Sequence, residues 1–328
     1  MLYKLTTTRV YRSYLGGVNI DAMTGVQNPS VTRFPEDWLA SVTTAFNPGR
    51  VIPNEGLSKT ESGEYLKDII NANKEAMLGA EPEMKLLFKL LDAAERLVIQ
   101  VHPTIPFAKK YFNSPYGKTE CWYILNDGGY VYLGFKPGIT KERWKSIFLE
   151  QDIDAMLDCL HKFEVCRGDM IFVEGGVPHA IGKGCFLAEL QEPTDLMVVT
   201  ERQTPSGVTL KEEKLHGGLG FEKMFDCFTY EGLERETVKE RYFLRTQEIE
   251  AGRMLLVGEN ITDKFRLEKM TVSGNAEFKA DTYGIVLVTE GSGVINHLQV
   301  RRGDRLFVPA NEKTLHCQGK MEILFCSA

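Results

Sequence analysis

The chain has 328 residues, of which 43% are hydrophobic and 26% are charged, so it can build one elaborated domain or two compact ones without disulfides. Its formal charge of −6 argues against a nucleic acid or an anionic membrane as a partner. The longest apolar runs are of strand length, the first residues lack the apolar stretch of a secretory signal, and the seven cysteines include no CxxC pair. These features predict a soluble cytoplasmic protein with unpaired thiols.

The first third of the chain predicts strands followed by helices. Residues 1–35 contain strand-like pieces broken by glycine and proline, and residues 36–47 are ambiguous. Residues 61–94 predict two helices, because apolar side chains recur at helical spacing around Leu66 and again, after Pro82, from Leu86 to Ala94. We therefore expect a helical insertion at about residues 36–95.

The middle of the chain changes to a strand pattern. The segment LVIQVHP (97–103) is a short apolar run, and CWYILND (121–127) with GYVYLGF (129–135) predicts a β-hairpin around Asp127-Gly128-Gly129. Residues 140–162 predict a helix that ends near His161, which is interpreted as a surface histidine.

From Phe163 onwards the chain predicts short strands separated by glycine turns, apart from a mixed segment at 209–229. Two stretches, GDMIFVEGGVPH (168–179) and GDRLFVPANEKTLH (303–316), share a Gly-Asp turn, an apolar strand and a terminal histidine. This pattern indicates a mainly β protein with two cupin-like jelly-roll β-barrels. We place a metal-binding catalytic domain at 1–230 and a metal-free cupin-like domain at 231–328.

A small set of polar residues predicts a metal site in the first barrel. In a strand, Gln100 and His102 point to the same side about 7 Å apart. His179 ends the first Gly-Asp unit, and Glu120 opens an apolar strand. Imidazoles with a carboxylate suit zinc, and such a set is typical of catalytic rather than structural sites. Taken singly, each residue is more often structural. His297 and His316 in the second unit have no acidic or histidine partner at matching spacing.

Five ordered motifs resemble the class I mannose-6-phosphate isomerases: FPEDWLAS, NEGLS, VIQVHP, GKTECWYIL and GDMIFVEGGVPHAIGKGCFLAELQEPTD. The resemblance extends to about residue 230. It implies a single Zn²⁺ held by Gln100, His102, Glu120 and His179, and an aldose–ketose isomerase acting on mannose 6-phosphate and fructose 6-phosphate. It also implies active-site roles for Lys118 and Glu189. We assign Glu189 as the proton carrier and Lys118 as its electrostatic partner, with the reverse assignment open.

Three positions depart from the pattern of that family. Val199 replaces an arginine, Val98 replaces a serine tied to phosphate binding, and Thr104 replaces the aspartate of HPD. Arg202, at an odd offset from Val199, is the predicted substrate-binding residue, with Lys211 and Lys118 as other cations that could hold the phosphate. The alternatives are a different sugar as the substrate, a non-catalytic metal-bearing sugar-binding cupin, and an iron or manganese oxygenase.

Overall fold

The computed structural model describes residues 1–50 and 52–328. The strands in this part are β1 (Tyr3–Leu5), β2 (Arg9–Val10), β3 (Glu36–Leu39), β4 (Leu87–Asp92), β5 (Gln100–Val101), β6 (Glu120–Ile124), β7 (Gly129–Phe135), β8 (Leu160–Val165), β9 (Met170–Val173), β10 (His179–Ile181), β11 (Phe186–Gln191), β12 (Val198–Val199), β13 (Gln247–Glu250), β14 (Arg253–Val257), β15 (Arg266–Lys279), β16 (Gly284–Ile295), β17 (Leu298–Arg301), β18 (Arg305–Val308) and β19 (Thr314–Ser327).

The helices are short and lie between the strands. They are α1 (Val18–Thr24), α2 (Leu66–Ala72), α3 (Lys74–Leu78), α4 (Ile105–Tyr111), α5 (Lys141–Glu150), α6 (Ile153–Asp158), α7 (Glu212–His216), α8 (Phe221–Met224) and α9 (Arg235–Tyr242), with one 3₁₀ turn at Phe225–Cys227. Within the described residues, none of these helices has the length and apolarity needed to cross a bilayer.

Two antiparallel sheets form the first unit. One has the strand order β12-β5-β10-β7-β8 and the other β2-β3-β4-β11-β6-β9. Their facing sides enclose an apolar core that includes Trp122, Ile124, Val131, Leu133 and Leu187. The second unit is an eight-stranded sheet in the order β1-β18-β16-β19-β15-β14-β13, with β17 paired to β16. The predicted mainly β, cupin-like class is confirmed, although the sheets do not close into barrels.

The chain start belongs to the C-terminal sheet. Tyr3–Leu5 pairs antiparallel with Arg305–Val308, so the first residues and the last strands share one ladder. The domain division near residue 230 stays a prediction.

The six-stranded sheet is buried on both faces. In β6, Trp122 and Ile124 face the core of the first unit, whereas Cys121 and Tyr123 pack into a second core shared with the C-terminal sheet. A sheet covered on both sides is apolar at nearly every position instead of alternating. For this reason the helix predicted after Pro82 is wrong, since residues 87–92 of that segment form the wholly buried strand β4. Among the described residues between 36 and 95, the helices lie within 66–78.

Two further predictions need correction. The expected hairpin does not form, because β6 pairs with β9 and β11 whereas β7 pairs with β8 and β10. The Asp127-Gly128 turn therefore connects two different sheets. The predicted helix at 140–162 ends at Asp158, and His161 lies in β8, where it is buried and its Nε2 lies 2.8 Å from the Leu233 carbonyl oxygen.

The two Gly-Asp units adopt the same turn. Asp169 Oδ2 accepts a 2.9 Å hydrogen bond from the Cys166 N–H, and Asp304 Oδ2 accepts an equivalent 2.9 Å bond from the Arg301 N–H. Gly168 and Gly303 take φ values of 95° and 90°, which glycine adopts without strain. In each copy an apolar strand and a return strand follow, as the repeat predicted.

Candidate metal centre and active site

The facing sheets of the first unit bring the predicted residues together. In the five-stranded sheet, Gln100 is the direct cross-strand partner of His179. In the six-stranded sheet, Glu120 and Glu189 lie at alternate positions of neighbouring strands, and Glu189 is also opposite Lys89. Polar side chains that interrupt two apolar faces thus converge between the sheets.

Two glycines allow the loops of the site to pack tightly. A Cβ on Gly117 would lie 2.6 Å from the Pro103 carbonyl oxygen, and a Cβ on Gly175 would lie 2.7 Å from the same atom. The Lys118 N–H donates to that carbonyl at 3.0 Å. This packing holds the segment carrying His102 against the segment that delivers Lys118.

His102, Glu120 and His179 form a buried group in which one potential ligand atom from each side chain lies within 4.8 Å of the other two. Glu120 Oε2 is 3.1 Å from His102 Nε2, and Glu120 Oε1 is 3.5 Å from His179 Nε2. Each side chain is no more than 1% exposed. Trp122 Nε1 donates to Glu120 Oε1 at 3.0 Å and fixes the carboxylate.

Both imidazoles are held in the tautomer that a metal requires. His102 Nδ1 lies 3.0 Å from the Leu196 carbonyl oxygen, and His179 Nδ1 lies 2.9 Å from that of Val177. Because a carbonyl only accepts, each Nδ1 carries the proton and each Nε2 turns a lone pair to the centre. Burial, followed by the Lys118 charge, lowers the pKa of His102 to about 3, and burial also lowers that of His179.

The group fits a divalent metal ion on two further observations. His179 Nε2 is buried without a hydrogen-bond partner. The Lys118 ammonium donates to His102 Nε2 at 2.7 Å and to Glu120 Oε2 at 2.8 Å, so both accepting atoms already face a positive charge. Gln100 lines the cavity beside them.

Glu189 lies between two ammonium groups. Its Oε1 is 3.0 Å from Lys89 Nζ and 3.6 Å from Lys118 Nζ, yet this buried oxygen has no aligned hydrogen-bond donor. Burial first, and then the charge of Glu120, raises the pKa of Glu189 to about 7. A carboxylate with a free oxygen and such a pKa can accept and return a proton near neutral pH.

Lys89 is a site residue that sequence analysis missed. It is buried in β4, pairs with Glu189 and lies 3.8 Å from Glu36, which in turn pairs with Arg12. The signal was present, since a lysine inside the apolar run LLFKLLD needs a buried partner. The mistaken helix concealed it.

A cavity of about 560 Å³, including its opening to solvent, contains Gln100, Lys118 and Glu189. One part of its wall is apolar. This part consists of Leu91, Leu97, Val98, Met197 and Val199.

Arg202 is not among the described residues that line this cavity. Its guanidinium carbon lies 5.2 Å from the ring centre of Phe221 and 5.4 Å from that of Phe148. The backbone N–H of Arg202 donates to Gln151 Oε1 at 2.7 Å. The strand β12 ends at Val199, so strand alternation does not determine the position of Arg202. The substrate-binding role of Arg202 stays a prediction.

Thr104 has a structural role. It is the N-cap of α4, and its side-chain oxygen accepts a 3.4 Å hydrogen bond from the Phe107 N–H. Threonine performs this function as an aspartate would, so the departure at this position leaves the local fold unchanged.

Comparisons with known proteins point to one family. Residues 259–327 match the family model "Mannose-6-phosphate isomerase, cupin domain". A mannose-6-phosphate isomerase of Streptococcus mutans is 27% identical over 97% of this chain and 95% of its own length. The mannose-6-phosphate isomerase ManA of Bacillus subtilis is 29% identical over 73% of each protein.

Solved structures share the fold. The crystal structure of a mannose 6-phosphate isomerase from Bacillus subtilis superposes with a TM-score of 0.77 at 22% identity, covering 100% of this chain and 99% of that one. A putative mannosephosphate isomerase from Archaeoglobus fulgidus gives 0.76 at 20% identity, covering 99% and 96%.

The fold and these relatives define a cupin-type isomerase. More specifically, the family model, the relatives and the shared fold together support the cupin-type mannose-6-phosphate isomerase family.

Proposed function

We propose that the protein is a zinc-dependent aldose–ketose isomerase that interconverts mannose 6-phosphate and fructose 6-phosphate in the cytoplasm. The observation that carries this proposal is the buried Glu189 carboxylate beside Lys118, in one cavity next to the His102, Glu120 and His179 group. The names of the relatives supply mannose 6-phosphate, and fructose 6-phosphate is the ketose that aldose–ketose isomerisation of that sugar produces.

The residues of the cavity have complementary roles. Glu189 takes the proton from the carbon beside the aldose carbonyl, and the released electron pair forms the C1–C2 double bond of an enediolate. Glu189 then returns the proton to C1, while O2 becomes the ketose carbonyl oxygen and the proton on O2 is transferred to O1. Lys118 donates hydrogen bonds to the oxygens on which negative charge develops.

Gln100, His102, Glu120 and His179 are the residues that would hold zinc. Two neutral imidazoles, a carboxylate and a weaker amide oxygen are an acceptable catalytic set. When bound, zinc supplies a Lewis acid that polarises the substrate oxygens.

The apolar positions Val98 and Val199 favour a second candidate, an isomerase of an unphosphorylated or differently substituted sugar. A coupled assay on zinc-loaded protein separates the two. We expect turnover of mannose 6-phosphate, with kcat/KM for free mannose at least about 100-fold lower, because each charged hydrogen bond contributes about 1.5–3 kcal/mol.

Two outcomes would contradict the proposal. Conversion of free aldoses without conversion of mannose 6-phosphate would establish the second candidate. A sugar phosphate that raises the melting temperature of the protein but is not converted would indicate a binding protein.

A further inference from the structure

The cavity at Glu189 meets a second, shallower cavity. The two share Arg12, Ser13, Leu210 and Lys214 in their walls. The shallower one extends over residues 47–50 and 208–211. Lys214 therefore lies where the passage from the reacting carboxylate opens towards solvent.

The cations along this passage differ in their partners. Arg12, near the inner end, is neutralised by Glu36 at 3.0 Å and by Asp195 at 3.0 Å. Within the described residues, no ion pair joins a carboxylate to Lys214, Lys211 or Arg50. The Lys214 ammonium donates a 3.3 Å bond to the Phe46 carbonyl and lies 5.7 Å from the ring centre of Phe46.

Lys214 is half-buried without a charge partner of its own. Burial lowers its pKa to about 8, and the carboxylate that most opposes this effect, Asp195, already binds Arg12 and the Phe46 N–H. Removing an ammonium from water without an anion is costly, so this position favours an anionic ligand.

The two outer cations are held close to the same opening. A Cβ on Gly49 would lie 2.4 Å from Lys211 Nζ, so the absence of a side chain there lets the ammonium rest on the loop. The Arg50 guanidinium carbon lies 4.1 Å from the ring centre of Tyr11, a cation–π contact that orients the group.

The other two lysines of the inner cavity, Lys89 and Lys118, are paired with Glu189 and Glu120. Another part of the wall is apolar and includes Val98 and Val199. We propose that Lys214, assisted by Lys211 and Arg50, forms the phosphate-binding subsite of this enzyme. The sugar then lies along the passage with its reacting carbons at Glu189 and its phosphate at the opening. This inference rests on the proposed function.

The test replaces Lys214 by methionine, which keeps the length of the side chain and removes its charge. We expect Lys214→Met to raise KM for mannose 6-phosphate about 10- to 100-fold, because the variant loses one charged hydrogen bond to the phosphate. The inhibition constant of inorganic phosphate should rise by the same factor. Lys214→Arg should restore most of both. Lys145→Met, which removes a distant surface cation paired with Glu222, is the control and should change neither.

A direct titration with inorganic phosphate separates this inference from the proposed function. If no sugar phosphate is converted but phosphate binds wild type and not Lys214→Met, the function is wrong and the subsite stands. If Lys214→Met binds phosphate and mannose 6-phosphate as wild type does, the subsite is wrong. If Lys214→Met fails to fold, Lys211→Met, at an exposed position, provides the same comparison. We expect it to raise KM for mannose 6-phosphate and the inhibition constant of phosphate by smaller factors.

Discussion

Glu189→Gln should lower kcat about 10²- to 10⁴-fold, the range found when an acid–base group is removed. The amide keeps the shape of the side chain but cannot carry a proton between adjacent carbons. Metal content should stay near that of wild type. The melting temperature should fall, because buried Lys89 keeps only the more distant Glu36 as an ionised partner, so kcat is measured well below the unfolding transition of the variant. Glu164→Gln, at an exposed carboxylate on β8, is the control and should leave kcat unchanged.

The pH profile adds a second readout. Because the pKa of Glu189 is raised to about 7, the fraction of protein with an ionised base increases as the pH rises through 7. We expect kcat/KM of wild type to rise over that interval and the rise to disappear in Glu189→Gln. If Lys118 is the proton carrier instead, Lys118→Met will cause the larger loss and Glu189→Gln will lose less than about 10-fold.

Arg305→Met should destabilise the protein by about 3–5 kcal/mol, because it leaves a buried carboxylate without its cation. Arg305 in β18 donates to Asp37 Oδ2 in β3 at 2.7 Å, and both side chains are no more than 2% exposed. The pair joins the six-stranded sheet to the C-terminal sheet. Urea unfolding followed by fluorescence measures the change.

Replacing Asp37 as well tests whether the unpaired buried charge causes the loss of stability. Asp37→Asn in the Arg305→Met background removes the unpaired charge and should recover part of the loss. Arg167→Met is the matched control, since Arg167 also pairs across the two units, with Glu290 at 3.1 Å, but both side chains are more than 40% exposed. It should cost no more than about 1 kcal/mol. Equal losses in Arg305→Met and Arg167→Met would show that burial of the pair is unimportant.

The sequence was most informative where polar residues interrupt apolar strands. Glu120 and His179 could be predicted because each ends or opens such a run, and the family resemblance reached the same residues. The paired Gly-Asp units could be predicted because the turn needs glycine with positive φ and a carboxylate acceptor, and both copies retain the two.

Errors arose where tertiary burial removes the periodic signal. In β4 both faces are covered, so Leu87 to Leu91 show no alternation and their spacing also fits a helix. The β6–β7 turn has the composition of a hairpin, but packing between two sheets separates the strands. Lys89 contacts Glu189, 100 positions away in sequence, and Lys214 donates to Phe46, 168 positions away. No local pattern encodes such contacts.

Metal analysis combined with activity tests the site most directly. We expect purified wild type to contain one zinc per chain, to lose turnover of mannose 6-phosphate on chelation and to regain it when zinc is added back. His179→Ala should fail to retain the metal, because it removes one of the two imidazoles that face Glu120. His316→Gln, at an exposed histidine of the C-terminal sheet, should retain one zinc. Full turnover by metal-free protein, or a full zinc complement in His179→Ala, would contradict a catalytic ion held between the two sheets.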